Sequence, residues 1–294
     1  MSLVITGASG QLARLTANRV AQTVSPSEVT LVTRTPDALG DFADRGFVVR
    51  YGDFDDPTSL RAAFRGGERL LIVSTLVLGT RVPQHRAAID AAVAAGIGHA
   101  AYTGGLNPSD SNPSAAHREH RATEEALRAS GMAWTALRNG IYAEGLLARA
   151  PAALATGKLI SNAGDGRNGY VAREDCAAAA AAVLTGDGHE GREYDITGPE
   201  ALSEHDVAAL LSELGGAPVE PVLLDDDDWV ATMVEHAGMP EPLARTIATF
   251  GMAARRGYAA VVSTTVEELT GRPPKTVREV LEPALNRSRS SAAP

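Results

Sequence analysis

Four groups of residues in this sequence are of types and spacings that could bind or react. The first is Gly7-Ala8-Ser9-Gly10-Gln11-Leu12-Ala13, lying between a strand-like and a helix-like stretch. Small residues there let the backbone approach a diphosphate, whose charge suits the free N–H groups of a helix start. The spacing is G-x-x-G-x-x-A, with Ala13 where a third glycine often stands. A glycine turn alone is a weak signal, but between a first strand and a first helix it favours dinucleotide binding over a plain turn. The second group, Val32-Thr33-Arg34-Thr35, ends the next strand pattern. An acidic residue at that point would accept from a ribose 2′-hydroxyl. Arg34 stands there instead, able to clamp a 2′-phosphate with Thr35 adding a hydroxyl, which favours NADP over NAD. The bland reading of Arg34 is a solvated surface arginine. Asp53 and Phe54 follow the third strand, where a carboxylate can accept from an adenine amino group or simply close a turn.

The third group is His117, His120 and Glu124, spaced one helical turn apart. As a metal site it lacks a third evident ligand, so a solvated helix face is the default and a proton-supplying role for His120 the sharper alternative. The fourth is the run Asp225–Asp228 before Trp229-Val230. Acidic residues suit the positive end of a helix dipole, so a helix start is favoured over a metal cluster. No metal is expected. Tyr102 is followed four residues later by Leu106, so the Tyr-x-x-x-Lys pair of alcohol-oxidising dehydrogenases is missing. His85, His99 and His189 read as structural, and no Ser-His-Asp arrangement is suggested. Cys176, the single cysteine, sits in an alanine-rich run and reads as a buried thiol.

The elements that must position these residues follow from patterning. Strands are expected at 2–6, 28–34, 47–51, 69–73, 99–103 and 134–138, and helices at 10–22, 36–45, 57–64, 82–95 and 115–130. That alternation is the mark of a parallel sheet with crossover helices. Asp56-Pro57 reads as a helix cap, and Gly96 and Gly131 as helix ends. After Arg138 the rhythm changes. Helices are expected at 151–156, 173–184 and 203–214, the last opened by Ser203 and Asp206, with a strand at 193–197 returning to the main sheet. The tail from 286 to 294 is rich in Ser, Arg and Ala and reads as disordered. The expected architecture is therefore α/β: a Rossmann-type doubly wound parallel sheet with a smaller α/β C-terminal lobe. Residues 1–150, with the returning strand near 192–198, form the nucleotide-binding domain, and 151–285 mainly the substrate lobe.

The 294 residues carry a net charge of −9, against a nucleic-acid partner, which needs clustered basic residues. No apolar run is long enough for a bilayer, no secretory leader is evident, and one cysteine suits a reducing compartment. The expectation is a cytoplasmic protein, monomer or homodimer, without a membrane or nucleic-acid partner.

The combination of Gly7-Ala8-Ser9-Gly10-Gln11-Leu12, Val32-Thr33-Arg34, Pro83-Gln84-His85-Arg86, Ala101-Tyr102-Thr103 and Leu137-Arg138-Asn139-Gly140 resembles the NmrA-like atypical short-chain dehydrogenases. Within them it is most similar to type-2 NADPH:quinone oxidoreductases and triphenylmethane reductases. The resemblance implies an NADP(H) cofactor in a cleft between two lobes. The loop Gly7 to Leu12 would hold the pyrophosphate, and Arg34 the 2′-phosphate. Ser74, Thr75 and Leu76 would line the path from adenosine to nicotinamide. Tyr102, Thr103 and Gly104 would end the fifth strand and Asn139, Gly140 and Tyr142 follow the sixth, at the carboxyl ends where open α/β sheets bind ligands. Two departures bear on the substrate: Gly104-Gly105 replaces a serine some relatives carry, and Ile141 stands where quinone-reductase relatives show tryptophan.

The function so implied is reduction of a quinone or similar conjugated, electrophilic small molecule by NADPH, without flavin. Tyr142 and Asn139 would fix the acceptor, and water or His120 would protonate it. Such an acceptor is already electrophilic, so positioning the nicotinamide supplies most of the catalysis. Two alternatives stay open: reduction of triphenylmethane-type dyes, and a non-catalytic NADP-binding redox sensor or regulator.

Overall fold

A computed structural model describes residues 1–75 and 77–292; Leu76, Ala293 and Pro294 lie outside the described residues, as do the side chains of 288–292. Strand and helix alternate through the first half: β1 (Leu3–Ile5), α1 (Gln11–Val20), β2 (Val29–Thr33), α2 (Gly40–Ala43), β3 (Val48–Tyr51), α3 (Pro57–Phe64), β4 (Arg69–Ile72), α4 (Arg81–Ala95), β5 (His99–Gly105), α5 (Ala115–Ala129) and β6 (Ala133–Asn139). The second half holds α6 (Leu146–Thr156), β7 (Lys158–Ser161), β8 (Arg167–Gly169), α7 (Arg173–Thr185), β9 (Arg192–Ile196) and β10 (Ala201–Ser203). It continues with α8 (Glu204–Gly215), β11 (Glu220–Leu223), α9 (Asp226–Ala237), α10 (Glu241–Arg255), α11 (Thr265–Thr270) and α12 (Val277–Ala292).

Seven parallel strands form the main sheet in the order β3-β2-β1-β4-β5-β6-β9. β1 and β2 are buried at every position, as a sheet covered on both faces requires. Alternate residues serve opposite faces. Leu3, Ile5 and Leu71 pack with α1 and α7, while Val4, Leu70, Ile72 and Tyr102 pack against α3, α4 and α5. The order of strands reverses beside β1, so the loop after β1 opens into a crevice at the carboxyl ends, where open α/β sheets bind ligands.

The small lobe has its own apolar centre, where Leu146, Ala150 and Ala153 of α6 meet Val207 and Leu211 of α8 and Leu281 of α12. A second cluster joins Trp229 and Val230 of α9 to Ala244 and Ala248 of α10. The chain reaches this lobe after β6, comes back to the main sheet with α7 and β9, and leaves again. The helix boundaries obey local chemistry. Asp56 accepts from the N–H groups of Thr58 and Ser59, Gly96 ends α4 at φ +78°, and Ser203 and Asp206 form a reciprocal capping box. Asp225 caps α9 by accepting from the Asp228 N–H, so the acidic run is a helix start.

Three expectations are corrected, and one stretch without an expected element gains two. The single helix at 36–45 is a short 3-10 turn, Pro36–Leu39, followed by α2. Helix 151–156 begins at Leu146 and carries Pro151 inside it, because burial of Leu146 and Ala150 outweighs the lost hydrogen bond. The Gly- and Asn-rich stretch 157–169, to which the sequence pattern assigns no element, contains β7 and β8, which pair with β11 and β10. The tail continues α12 through Ala292. Val277 and Leu281 anchor its first turns, and extending a helix costs far less than starting one.

Candidate functional site

A cleft of about 1640 Å³ runs along the carboxyl ends of the main-sheet strands and under the small lobe. At one end lies the glycine loop. Gly7 adopts φ +61°, a left-handed conformation that favours glycine. The Ala8 N–H donates to Val32 O at 3.0 Å and the Gly10 N–H to Gly7 O at 2.8 Å, so the loop is pinned to β2. Gly10 is exposed and sits directly before α1, whose first N–H groups have no partner within the helix. Gln11 and Leu12 also line the cleft. Thr33 donates its hydroxyl to Ser9 at 3.2 Å, tying the loop to the end of β2.

Arg34 lies on the same wall, exposed, and among the described residues it makes no hydrogen bond or ion pair. Its guanidinium is thus available to an anion. Asp53 accepts from the Asp55 N–H at 3.1 Å, a turn role, and also lines the cleft with Phe54. Across from them Ser74 and Thr75 hold the cleft floor. The Ser74 N–H donates to Thr103 Oγ1 at 3.0 Å, and the Thr75 hydroxyl is buried without a partner. Leu76 lies outside the described residues.

The other end is built from half-buried side chains backed by buried ones. His117 and His120 are half-buried and line the cleft: the helix α5 turns them onto the end of β5, while Thr123, Glu124 and Leu127 are fully buried. The expectation of a solvated face is corrected. What permits this packing is Gly104-Gly105. A Cβ on Gly105 would stand 3.0 to 3.2 Å from ring atoms of His117 and His120. Glu124 is 1% exposed and committed to arginine: its two oxygens accept from Arg138 at 2.9 and 2.8 Å, and Arg128 adds a third contact at 2.7 Å.

Tyr102 is corrected as well. Its side chain points away from the cleft and is 0% exposed, because β5 alternates faces and position 102 belongs to the α4–α5 side. Its hydroxyl lies 2.6 Å from His120 Nδ1. Thr103, Gly104 and Gly105 line the cleft in its place.

Arg81 carries a weight its sequence context did not signal. It is buried, with Nε donating to Thr75 O at 2.8 Å and a guanidinium N–H to Ala116 O at 3.3 Å, and it pairs with Glu119 at 3.4 Å. Desolvation, followed by the charge of Arg81, pushes His85 down to about 3 and His117 down to about 4. The same causes push His120 well below the ordinary histidine range. All three are neutral imidazoles. His85 accepts the Thr75 N–H on Nε2 at 3.1 Å, which leaves its proton on Nδ1, 3.0 Å from Thr123 Oγ1. It is a buried clamp on the cleft floor.

On β6 and beyond, Asn139 donates to the Tyr142 hydroxyl at 3.3 Å, while its Oδ1 is buried without a partner. Arg173 stacks over the Tyr142 ring at 4.7 Å and donates to Gln11 at 2.6 Å, joining this group to the phosphate loop. Burial raises the Tyr142 hydroxyl above its ordinary value, so it stays protonated. Gly140 has room for nothing larger, since a Cβ would meet Gly169 O at 2.2 Å. The small lobe closes the pocket with Phe250, Trp229, Met233 and Tyr258, and Ile141 lines it from the segment after β6. Phe250 meets the His117 ring edge-on at 5.8 Å. Sequence periodicity gave no means of assigning these small-lobe residues to a site.

Among the described residues no group of three or more His, Cys, Asp or Glu could hold a metal ion, and no helix is long and apolar enough to cross a membrane. The residues fit a phosphorylated dinucleotide: a backbone cradle, an unpaired arginine beside it, and orphaned polar atoms on Thr75 and Asn139 along the path.

Known proteins agree with this geometry. The NAD(P)H-binding family matches over residues 7–187. Quinone oxidoreductase 2 of Escherichia coli is 38% identical over 97% of this chain and 99% of its own length. The crystal structure of an Escherichia coli NADPH-dependent quinone oxidoreductase complexed with NADPH superposes with a TM-score of 0.93, covering 97% of this chain and 100% of the other. The triphenylmethane reductase of Citrobacter sp. is 32% identical with a TM-score of 0.90, covering 97% and 100%. An NAD(P)H azoreductase of Xenophilus azovorans is 34% identical over 80% of this chain and 82% of its own. With its seven-stranded parallel sheet, this chain belongs to the NAD(P)H-binding family as an oxidoreductase of the NmrA-like, Rossmann-type kind.

Proposed function

We propose that the protein is an NADPH-dependent reductase that transfers hydride to a quinone or similar conjugated acceptor without flavin. The observation that carries this reading is the two-ended cleft. A phosphate cradle with an unpaired Arg34 stands at one end. A pocket of aromatic and aliphatic side chains, with a neutral histidine at its wall, stands at the other. By their names the relatives above reduce quinones, triphenylmethane dyes and azo compounds, and a conjugated acceptor of the quinone kind is proposed here.

In this reading Gly7 to Leu12 cradle the pyrophosphate, Arg34 takes the 2′-phosphate, and Phe54 with Asp53 flanks the adenine. Ser74, Thr75, Thr103, Gly104 and Gly140 line the path to the nicotinamide, and Asn139 offers its orphaned Oδ1 there. The bound cofactor supplies the hydride. Tyr142 and Asn139 orient the acceptor against it, the small lobe excludes water, and His120 faces the acceptor's oxygen. The cofactor rests on residues 1–150 with α7 and β9, and the acceptor is covered mainly by the rest of 151–285. Cationic triphenylmethane dyes are the second acceptor class, supported by the overall likeness to the Citrobacter enzyme.

The test is steady-state NADPH oxidation against a panel of benzoquinones, naphthoquinones, triphenylmethane dyes and aldehydes, with deuterium at the transferred C4 position. Turnover with quinones and a slowed single-turnover hydride step are the expected results. Tight NADPH binding with no acceptor turned over would make the redox-sensor reading the better one.

A further inference from the structure

We infer that Tyr102 is a positioning residue: its hydroxyl donates to His120 Nδ1 and so holds His120 in the tautomer whose Nε2–H serves as a neutral hydrogen-bond donor to the carbonyl oxygen of the acceptor. The inference rests on the assignment of this end of the cleft to the acceptor. Its basis is geometric. The Tyr102 oxygen and His120 Nδ1 are 2.6 Å apart. Tyr102 has no solvent exposure, and its ring is braced edge-on by His85 at 5.2 Å. His120 lines the cleft, and its second ring nitrogen makes no hydrogen bond among the described residues.

The direction of the bond follows from the neighbours. His85 Nε2 accepts a backbone N–H, so its proton is on Nδ1 and donates to Thr123 Oγ1. The Thr123 hydroxyl in turn donates to Glu119 O at 3.0 Å. The Ser74 hydroxyl donates to Thr75 O at 3.2 Å. The Ser74 and Thr123 hydroxyls also lie beside the phenol, each with its own proton directed elsewhere, and His120 Nδ1, at 2.6 Å, is the strongest acceptor there. An imine nitrogen accepts from a phenol more readily than a phenol oxygen accepts from an imidazole, so the proton sits on Tyr102 and the imidazole proton on Nε2.

The charged and titratable groups facing this pair are Arg81 and His85 from α4 and His117 and Glu124 from α5, with the Ser74 and Thr123 hydroxyls beside the phenol and Phe250 of α10 against His117. Burial keeps both members uncharged: it raises the Tyr102 hydroxyl far above its ordinary value and lowers His120. Tyr102 therefore does not give up its proton, which would leave a buried phenolate. The acceptor gains a hydride, with its two electrons, from the reduced nicotinamide, and one proton from solvent. His120 keeps its Nε2 proton throughout and stabilises the negative charge that develops on oxygen. The two histidines and the tyrosine thus act by preorganisation.

The experiment is 15N NMR of the imidazole ring of His120 in the full-length labelled protein, assigned by its loss in His120→Gln, with kinetics on Tyr102→Phe beside it. The Nε2–H tautomer should be the single form from pH 5.5 to 8, and Tyr102→Phe should give a mixture of both. In Tyr102→Phe, kcat should fall about tenfold with KM for NADPH unchanged, and the His120 contribution should add no pH dependence in either protein. A wild-type His120 protonated on Nδ1, or charged in that range, would overturn the inference even if Tyr102→Phe failed to fold. So would a Tyr102→Phe protein with unchanged tautomer and kcat. If no acceptor turns over while the tautomer is as described, the proposed reaction fails and the tyrosine–histidine lock stands.

Discussion

The two ends of the cleft are built by different means. The phosphate end is backbone and exposed side chain, drawn from one loop and the strand next to it: Gly7 to Leu12 and Arg34 lie within a single β-α-β unit. The acceptor end is buried and half-buried side chains from β5, α4, α5 and α10, brought together by the strand order. A cofactor's phosphates are met by partial charges the backbone always carries, so their site needs only glycine and a helix start. A neutral acceptor offers little to hold, so its site needs shape, dryness and donors fixed in advance. One end should therefore fail through single local changes, and the other through small displacements.

The largest effect is expected at Gly10. Its φ of −78° and ψ of 157° suit any residue, and it is exposed, so Gly10→Val should leave the fold intact. A Cβ there would already stand 3.1 Å from Gly7 O, and the branched side chain would fill the approach to the cradle. The thermal shift on adding NADPH should vanish in Gly10→Val while the melting temperature without cofactor stays close to that of the parent. An undiminished shift would remove the loop from the site.

Next is Arg34. A charge-assisted hydrogen bond contributes about 1.5–3 kcal/mol, which sets the preference of NADPH over NADH at roughly 10- to 150-fold. Arg34→Asp should erase or reverse it, read as the ratio of kcat/KM for the two cofactors. Equal affinity for both in the unmutated protein would contradict the role given to Arg34.

These two tests concern the end that was legible in the sequence. Alternating β-branched runs, a glycine loop and an arginine at a strand end are all within a few residues of what they touch, so spacing alone carries the argument. The acceptor end was half legible. His117 and His120 drew notice, yet their alternative as a solvated face followed from an α5 whose arginines and glutamates are scattered along it. What reversed the helix face was Glu124, buried against Arg138 of the next strand, and no local pattern encodes that pairing. Tyr102 ended up behind the cleft because the side chains of a strand alternate, and a one-residue change of register puts a residue on the opposite face. Arg81 stands in no motif of the sequence. Only its burial beside Glu119 and the Thr75 carbonyl distinguishes it.

A smaller effect is expected from Gly105→Ala, at the acceptor end. The added methyl must push the rings of His117 and His120 by a few tenths of an ångström. A displacement of 1 Å can cost about 100-fold in rate, so kcat should fall about 3- to 10-fold, with NADPH affinity unchanged. A matching loss of NADPH affinity would blur the division between the two ends.

The smallest effect separates them by acid stability. His117 is held down to about 4 from an ordinary value of 6.5, chiefly by burial and then by the charge of Arg81. A histidine whose folded value is depressed contributes its stability in full above 6.5. As pH falls below that, the unfolded chain binds a proton that the folded chain refuses, so the contribution shrinks until the folded value near 4 is reached. The slope is at most about 1.4 kcal/mol per pH unit for each such histidine. His117→Gln should keep a neutral polar ring-sized group in place and remove one share of that slope between pH 6 and 5, read from urea unfolding at pH 7, 6 and 5. Arg34→Asp, a change on the exposed end, should leave the slope as it is over that range. If His117→Gln and Arg34→Asp shift the pH dependence alike, burial at the acceptor end is not what keeps its histidines neutral.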